Sequence, residues 1–264
     1  MVLESILPVK KVIRNPVEMF IFSMIITFAS IYLAELIFPG PSTGKIITLF
    51  ITVAVTPMIY GLFKEDEKVE RDCAEHKNKK SFFDRHDEII WCFSFLFLGV
   101  FLAVFTVAVL APEAYVTSMF DDQMSEIERV TSISGSFSVA SILNIIIMNN
   151  LRVMALSFVL SFLLGSGAVV IMAWNASILG LYLASFVRQG LMEEFVMRTV
   201  GLIPHAPIEI MAYFLAGIAG GIISVGLIRE KLMSKEFGLI FKDALILMGL
   251  AVLAVLIGAV IEVL

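Results

Sequence analysis

The segment LIPHAPIEIMAYFLAGIAGGIIS, residues 202–224, decides how this chain is organised. Two prolines, a histidine and a glutamate open it, and an apolar helix pattern follows in which small residues recur every four positions. One face of such a helix is nearly flat, and in lipid a flat face lets two helix backbones approach closely. The segment therefore predicts a membrane helix that packs against a neighbour. The small residues of this face are Ala212, Ala216, Gly217, Gly220, Gly221 and Ser224.

The whole chain has the composition of a membrane protein. Of its 264 residues 59% are hydrophobic and 16% are charged, whereas about a quarter of the residues of soluble domains are charged, and the mean hydropathy is +0.96. A membrane helix needs about 20 apolar residues. We therefore predict an all-α, polytopic transmembrane bundle. The apolar windows are Val17–Phe38, Gly44–Phe63, Glu88–Ala111, Leu151–Ala173, Ala206–Ile228 and Ala244–Leu264, with a shorter seventh at Asn175–Val187.

Charge and cysteine content exclude several classes of protein. The net charge is −5 and the basic residues lie in short loops, so we expect no nucleic-acid partner. Cys73 and Cys92 are the only cysteines, too few for a disulfide framework and without the CxxC spacing of a metal pair. We accordingly predict no cofactor and no metal.

The distribution of lysine and arginine predicts the orientation in the cell membrane. Basic residues cluster before the first apolar window and in the loops Lys64–Arg85 and Arg229–Lys242, and such clusters mark the cytoplasmic side. Both loops are cytoplasmic only if Asn175–Val187 is a membrane segment of its own, joined to the preceding one at Trp174–Asn175. We therefore predict about seven segments, one of them short or broken, with a cytoplasmic N-terminus and an extracytoplasmic C-terminus.

Three parts follow from this topology. Residues 1–111 form three N-terminal helices with a charged cytoplasmic loop at 64–88. Residues 112–150 form an extracytoplasmic segment, including an amphipathic stretch around Ile127 and Val130 and an interfacial or re-entrant helix at Val139–Met148, which is too short to span. Residues 151–264 form the C-terminal bundle.

The loop at 64–88 holds residue types that bind zinc. Cys73, His76, Asp84 and His86 are present, but zinc sites use tight ligand pairs and usually more than one cysteine. We interpret the loop instead as a solvated helical hairpin that docks a cytoplasmic partner.

Polar residues interrupt the C-terminal bundle at three places. Asn149 and Asn150 are expected to cap the entrance of a helix, and Asn175 precedes Gly180 where the chain is expected to reverse within the membrane. Glu209 follows His205 by four residues, with Pro207 between them. Because proline favours the first turn of a helix, Glu209 can stabilise the helix N-terminus. The other interpretation is a polar pocket shared with Asn175, for a lipid headgroup, a small solute or an ion. Ser157, Ser161 and Gly165 supply the matching small face for the stripe on 212–224.

These motifs carry a resemblance to a known family. The order NN-L-x-V, a glycine-bearing helix, N-x-x-x-x-G, then PH-x-x-x-E and a small-residue helix over Phe137–Ile228 resembles the stage II sporulation protein M family of integral membrane proteins. The family usually has glycine where Ala176 and Ala206 stand here. The resemblance implies a membrane protein without enzymatic activity, since sporulation members help to organise a cell-wall-remodelling assembly.

A second motif resembles that of an enzyme family. Glu193, Glu194 and Arg198 spell EExxxR, which is similar to the motif of intramembrane CAAX-type proteases, whose glutamate and histidine activate water. That family has a second histidine on a later helix, and none follows His205 in this chain.

We therefore expect a scaffold or adaptor in the membrane that recruits protein partners through 64–88 and 112–140 and self-associates through its small-residue faces. The alternative is a channel or transporter with a polar site at Asn175, His205 and Glu209, since broken helices line transporter sites.

Overall fold

A computed structural model describes residues 8–74, 81–131, 138–230 and 234–264, and these residues form helices and connections without a β-strand. The predicted all-α class is confirmed. The helices are α1 (Val9–Arg14), α2 (Val17–Ile37), α3 (Thr43–Ala74), α4 (Phe82–Leu110), α5 (Glu113–Met119), α6 (Asp121–Thr131), α7 (Val139–Leu164), α8 (Ala168–Arg188), α9 (Met192–Leu202), α10 (Ala206–Arg229) and α11 (Lys235–Val263).

Seven of these helices are long and apolar enough to cross a membrane, namely α2, α3, α4, α7, α8, α10 and α11. The shortest of the seven has 21 residues, which at 1.5 Å per residue matches a hydrocarbon core of about 30 Å. The predicted count is confirmed, and the chain is a multi-pass membrane protein.

The boundaries in the middle of the chain differ from those predicted. Val139–Leu164 is one continuous helix, so Val139–Met148 is not a separate interfacial or re-entrant helix, and residues 150 and 151 lie within α7. Ser138, and not Asn149 or Asn150, accepts a hydrogen bond at the start of this helix. Asn175 lies within the continuous helix α8, so the expected joint at Trp174–Asn175 and the short segment Asn175–Val187 are also wrong.

Glycine causes the turn that sequence reasoning misplaced. Gly165 ends α7 with a φ of 72°, a left-handed conformation that residues with a side chain rarely adopt. A Cβ atom on Gly167 would lie 2.2 Å from the carbonyl carbon of Leu160. The chain therefore reverses at residues 165–167, between two full-length helices.

Helix α10 lies at the centre of the bundle. It contacts α3, α4, α7, α8 and α11, and it is the most buried of the seven spans. Its small residues permit this position: a Cβ atom on Gly217 would lie 2.4 Å from Cβ of Ala168, and one on Gly220 would lie 2.3 Å from the carbonyl oxygen of Phe158. Ala212 and Ala216 are fully buried on the same helix. The face expected to support self-association is thus already covered within one chain.

A second close contact joins α8 to α4. A Cβ atom on Gly180 would lie 3.1 Å from the carbonyl oxygen of Phe101. At the end of α8, Arg188 donates hydrogen bonds from Nη1 to the carbonyl oxygens of Ala108 at 2.7 Å and Ala111 at 2.6 Å. These carbonyls belong to the C-terminal end of α4, where a cation is favourable.

The loop expected to be solvated is partly buried. His86 lies between two buried aspartates, with Nδ1 3.0 Å from Asp66 Oδ2 and Nε2 3.4 Å from Asp243 Oδ2. Arg85 also donates to Asp243, so α3, α4 and α11 are joined at this end. Glu67 is fully buried next to these residues, and Arg229 Nη1 lies 3.1 Å from its Oε2.

The four residues considered as zinc ligands have separate surroundings. His86 takes part in the pairs above, Asp84 forms a capping box with Ser81 at the start of α4, and Cys73 is half-buried. His76 lies outside the described residues. Within the described ranges, no three metal-binding side chains come together.

Candidate functional site

A polar site lies at the end of the bundle that carries α5 and α6. The first turn of α10 and the last turn of α11 meet there, and α7 and α8 face them. The site consists of two adjoining spaces. We call the first the amide pocket, with a volume of about 470 Å³, and the second the central cavity, with a volume of about 300 Å³. Both are lined by Asn175, Glu209, Tyr213 and Glu262.

Glu209 and Glu262 form a pair of acids in this site. Glu209 is in the first turn of α10 and packs on Gly258 of α11, one turn before Glu262. The two side chains line the same two spaces, and their carboxyls are close enough to interact. Oε1 of Glu209 is buried and has no hydrogen-bond partner among the described residues. The side chain therefore contributes an acceptor to the site, and among the described bonds it makes none to the N–H groups of its own helix.

Asn150 and Tyr213 form the buried wall of the amide pocket. The Tyr213 hydroxyl donates a hydrogen bond of 2.8 Å to Oδ1 of Asn150, and Asn149 Nδ2 donates to the same oxygen at 3.3 Å. The residue Asn150 is only 5% exposed, and its Nδ2 makes no full hydrogen bond in the described part of the chain, although the amide lies close enough to the Glu209 carboxyl to interact with it. Buried amides seldom remain unpaired, so a ligand or water between the two groups can complete their hydrogen bonds.

Asn175 borders both spaces from α8. Its Nδ2 donates a hydrogen bond of 2.8 Å to the carbonyl oxygen of Ile171, one turn earlier on the helix. A polar residue near the middle of a membrane helix is costly unless it serves structure or binding. The Asn175 side chain is thus bonded to the backbone of its own helix, and within the described residues it makes no hydrogen bond to Glu209.

His205 lies beside the amide pocket and central cavity. It is the N-cap residue of α10 and lines a neighbouring space, the basic side pocket, with Arg198 and Glu262. Of the five predicted polar residues, Asn149, Asn150, Asn175 and Glu209 thus line one pocket, and Glu262 connects them to His205.

Two arginines stand at the rim of the amide pocket. Arg152 is exposed on α7, and Arg129 is exposed on α6. Arg129 forms an ion pair with Glu126, and this hydrogen-bonded guanidinium holds the pKa of the Glu126 carboxyl below its usual value. The site therefore combines an acidic interior with a basic rim, a distribution suited to a ligand that carries both charges.

An apolar groove adjoins the central cavity. It has a volume of about 400 Å³ and lies between α4, α8, α9 and α10, with Phe101, Leu183 and Phe214 among its walls. Leu98 and Ile203 line it as well and are 47% and 63% exposed. The groove is therefore open at the side of the bundle that faces lipid.

The EExxxR residues do not meet in a catalytic arrangement. Glu193 and Glu194 are exposed in the first turn of α9, whereas Arg198 lines the basic side pocket with His205. The acids that do enter the polar site are Glu209 and Glu262.

Sequence reasoning missed Tyr213 and Glu262. Tyr213 lies one turn after Glu209, and its position among small residues concealed its polar hydroxyl. Glu262 is the only charged residue after Asp243, and an isolated acid at the end of an apolar helix is a signal for a functional position.

The family model of Stage II sporulation protein M matches residues 92–264, more than half of the chain. The chain belongs to the stage II sporulation protein M family. Comparison with curated proteins and with solved structures found no match. The match extends beyond the Phe137–Ile228 stretch that carried the resemblance and includes the acid pair and the three amide side chains. The buried pair formed by Asp66 and His86 lies outside the residues that match the family model.

Proposed function

We propose that this member of the stage II sporulation protein M family is a membrane scaffold or adaptor that catalyses no reaction. Family membership supports the proposal, and so does the projection formed by α3 and α4. Helix α3 has 32 residues, a length of about 48 Å, which exceeds a hydrocarbon core of about 30 Å.

The buried polar contacts at this end are the observation that carries the proposal. They join α3 and α4 to α11 through Asp66, His86 and Asp243, so that the projecting turns are held in one orientation. Lys64, Lys68 and Asp87 are exposed on those turns. A fixed surface of mixed charge is suited to electrostatic recognition of a protein partner.

We propose the orientation that the basic residues indicate, with the α3–α4 end in the cytoplasm and α5, α6 and the C-terminus outside. Cytoplasmic partners would then contact residues 64–88 and extracytoplasmic partners residues 112–140. Self-association would use faces other than the small-residue face of α10, which is covered.

Photo-crosslinking in cells tests the adaptor function. A photoreactive amino acid is placed at Lys64, Lys68 or Tyr115, and at Leu245 as a control exposed on a membrane span. We expect discrete adducts with proteins from the first three positions and none in common with Leu245. The proposal would be refuted if no specific partner were recovered from either end of the bundle.

A second candidate function is transport through the polar site. It is favoured by the buried side chains of Asn150 and Glu209, which line a common pocket and make no full hydrogen bond through Nδ2 and Oε1 within the described residues. Flux of small cations into proteoliposomes, compared with Asn175→Ala, His205→Ala and Glu209→Gln, tests it. Flux that is absent, or that is unchanged in all three variants, would remove this candidate.

A further inference from the structure

The apolar groove and the central cavity adjoin each other. Five residues line both, so the polar end and the apolar end are separated by at most one layer of side chains. These shared residues are Phe97, Leu179, Leu202, Ala206 and Ile210. One end of the space contains paired carboxyls, and the other end is open to the acyl region of a bilayer. A ligand that fills the whole space must therefore be amphiphilic.

The polar end favours a cation or a shared proton. Glu209 and Glu262 line the same two spaces, and two ionised carboxylates at close range in a site of low polarity repel strongly. Oε1 of Glu209 is buried and makes no full hydrogen bond within the described residues, although the Asn150 amide lies close enough to this carboxyl to interact with it, so the carboxyl can accept a bond from an N–H donor of a ligand. A primary ammonium group has three such donors and a positive charge, and it can bridge both acids.

An arginine and a histidine lie near Glu262. Arg198 and His205 line the basic side pocket, to which Glu262 also belongs, and the guanidinium of Arg198 is positively charged. Arg198 is exposed on α9, at the end of the bundle where the lipid phosphates of a bilayer lie. A guanidinium is well suited to phosphate. Glu262 lines both the central cavity with its second acid and the basic side pocket with Arg198. A headgroup that carries an ammonium next to a phosphate therefore matches the order of acidic and basic groups in this site.

We propose that this space binds one phospholipid with a primary amine in its headgroup, with the ammonium between Glu209 and Glu262, the phosphate at Arg198 and His205, and one acyl chain in the apolar groove. The inference goes beyond the adaptor function and does not require transport. Its residues lie at the end of the bundle opposite to the α3–α4 projection. A negative result for lipid binding would therefore leave the adaptor proposal standing, and a negative result for partner crosslinking would leave the lipid proposal standing.

Other amphiphiles fit this distribution less well. A trimethylammonium headgroup has no N–H donor for Oε1 of Glu209, and an anionic headgroup without an amine would place negative charge beside the two carboxyls. A soluble amine would leave the apolar groove unfilled, so it would lose the hydrophobic contribution of burying a chain.

Lipid binding to the delipidated, full-length protein in detergent tests the proposal. Phosphatidylethanolamine, its N-methyl and N,N-dimethyl derivatives and phosphatidylcholine of the same chain length are titrated and followed by native mass spectrometry. We expect the dissociation constant to rise along this series, by about tenfold or more in total, because charge-assisted hydrogen bonds are lost. Equal affinity across the series would overturn the proposal, whatever the behaviour of any variant.

Variants locate the two ends of the lipid. Glu209→Gln and Glu262→Gln should each weaken binding of phosphatidylethanolamine about tenfold. Glu35→Gln is the matched control and should leave the affinity unchanged. Glu35 lies in the last turn of α2, at the same end of the bundle as the site, and it lines none of these spaces. Melting temperatures of the same samples establish that the variants are folded, and undiminished binding in both cavity variants would contradict the inference.

Ala206→Phe separates a lipid from its soluble headgroup. Ala206 lies where the central cavity and the groove meet, so a phenyl ring there obstructs the acyl chain and not the acids. We expect binding of the lipid to be lost and weak binding of phosphoethanolamine to persist. Unchanged lipid binding, or phosphoethanolamine binding as tight as that of the lipid, would show that the groove holds no chain.

Discussion

Cγ of Glu209 lies 2.5 Å from the position that a Cβ atom would take on Gly258. No pair of non-bonded carbon atoms approaches so closely, so the absence of a side chain at residue 258 permits the acid to lie between α10 and α11. The position of one polar residue in the site thus depends on a glycine in another helix.

Gly258→Ala is therefore expected to displace the Glu209 side chain and to destabilise the protein by about 1–3 kcal/mol, the usual cost of overpacking. In a Glu209→Ala background, where Cγ is absent, the same change should cost little. Melting temperatures of the four proteins in detergent form a double-mutant cycle. Additive effects of the two changes would contradict the contact.

The closest approach of α10 to α7 gives a second prediction. A Cβ atom on Gly220 would meet the backbone of Phe158, with 2.3 Å to its carbonyl oxygen, and backbone cannot move aside as a flexible side chain can. Gly220→Ala should cost more than about 2 kcal/mol of stability. Gly249→Ala is the control, because nothing lies within 4 Å of the added atom, and it should be neutral or slightly stabilising. Equal melting temperatures of the two variants would refute this packing.

Much of the architecture could be predicted from the chain itself. Apolar windows of about 20 residues reveal spans because lipid leaves the backbone little alternative to a helix, and the order of the asparagine and PH-x-x-x-E motifs indicated the family. The turn at Gly165 could not be located in this way. Glycine serves equally in a packing stripe and in a left-handed turn, and only the neighbouring helix decides between the two.

The candidate site was predicted in part, for a related reason. Asn175 and Glu209 stand out as polar residues in apolar segments, so sequence alone could nominate them. Their neighbour Glu262 is separated from Glu209 by the whole length of two helices, and the contact depends on how α10 and α11 pack. The buried pair of Asp66 and His86 was similarly hidden, because a charged loop gives no sign of which residues are buried.

Arg188 gives a third prediction, at the end of α8. Its guanidinium donates to the carbonyl oxygens of Ala108 and Ala111, which have no partner in their own helix beyond its end. Arg188→Met retains much of the aliphatic length and removes both donors. We expect a loss of about 1.5–3 kcal/mol, measured by thermal unfolding in detergent. Arg152→Met, at an exposed position, should change stability by less than about 0.5 kcal/mol, and a similar loss in both variants would contradict the assignment.

The last prediction concerns Asp243, on which Arg85 and His86 converge. Asp243 is fully buried, and removing one partner of a buried ion pair leaves the other charge without compensation. Asp243→Ala should therefore destabilise the protein by about 3–5 kcal/mol, whereas Lys242→Ala, at the exposed neighbouring position, should have almost no effect. Because these pairs hold α3 and α4 against α11, Asp243→Ala should also reduce crosslinking of partners from Lys64 and leave lipid binding at Glu209 intact. Thermal unfolding and crosslinking of the same variant measure both effects. A stable variant with unaltered crosslinking would show that the projection does not depend on this network.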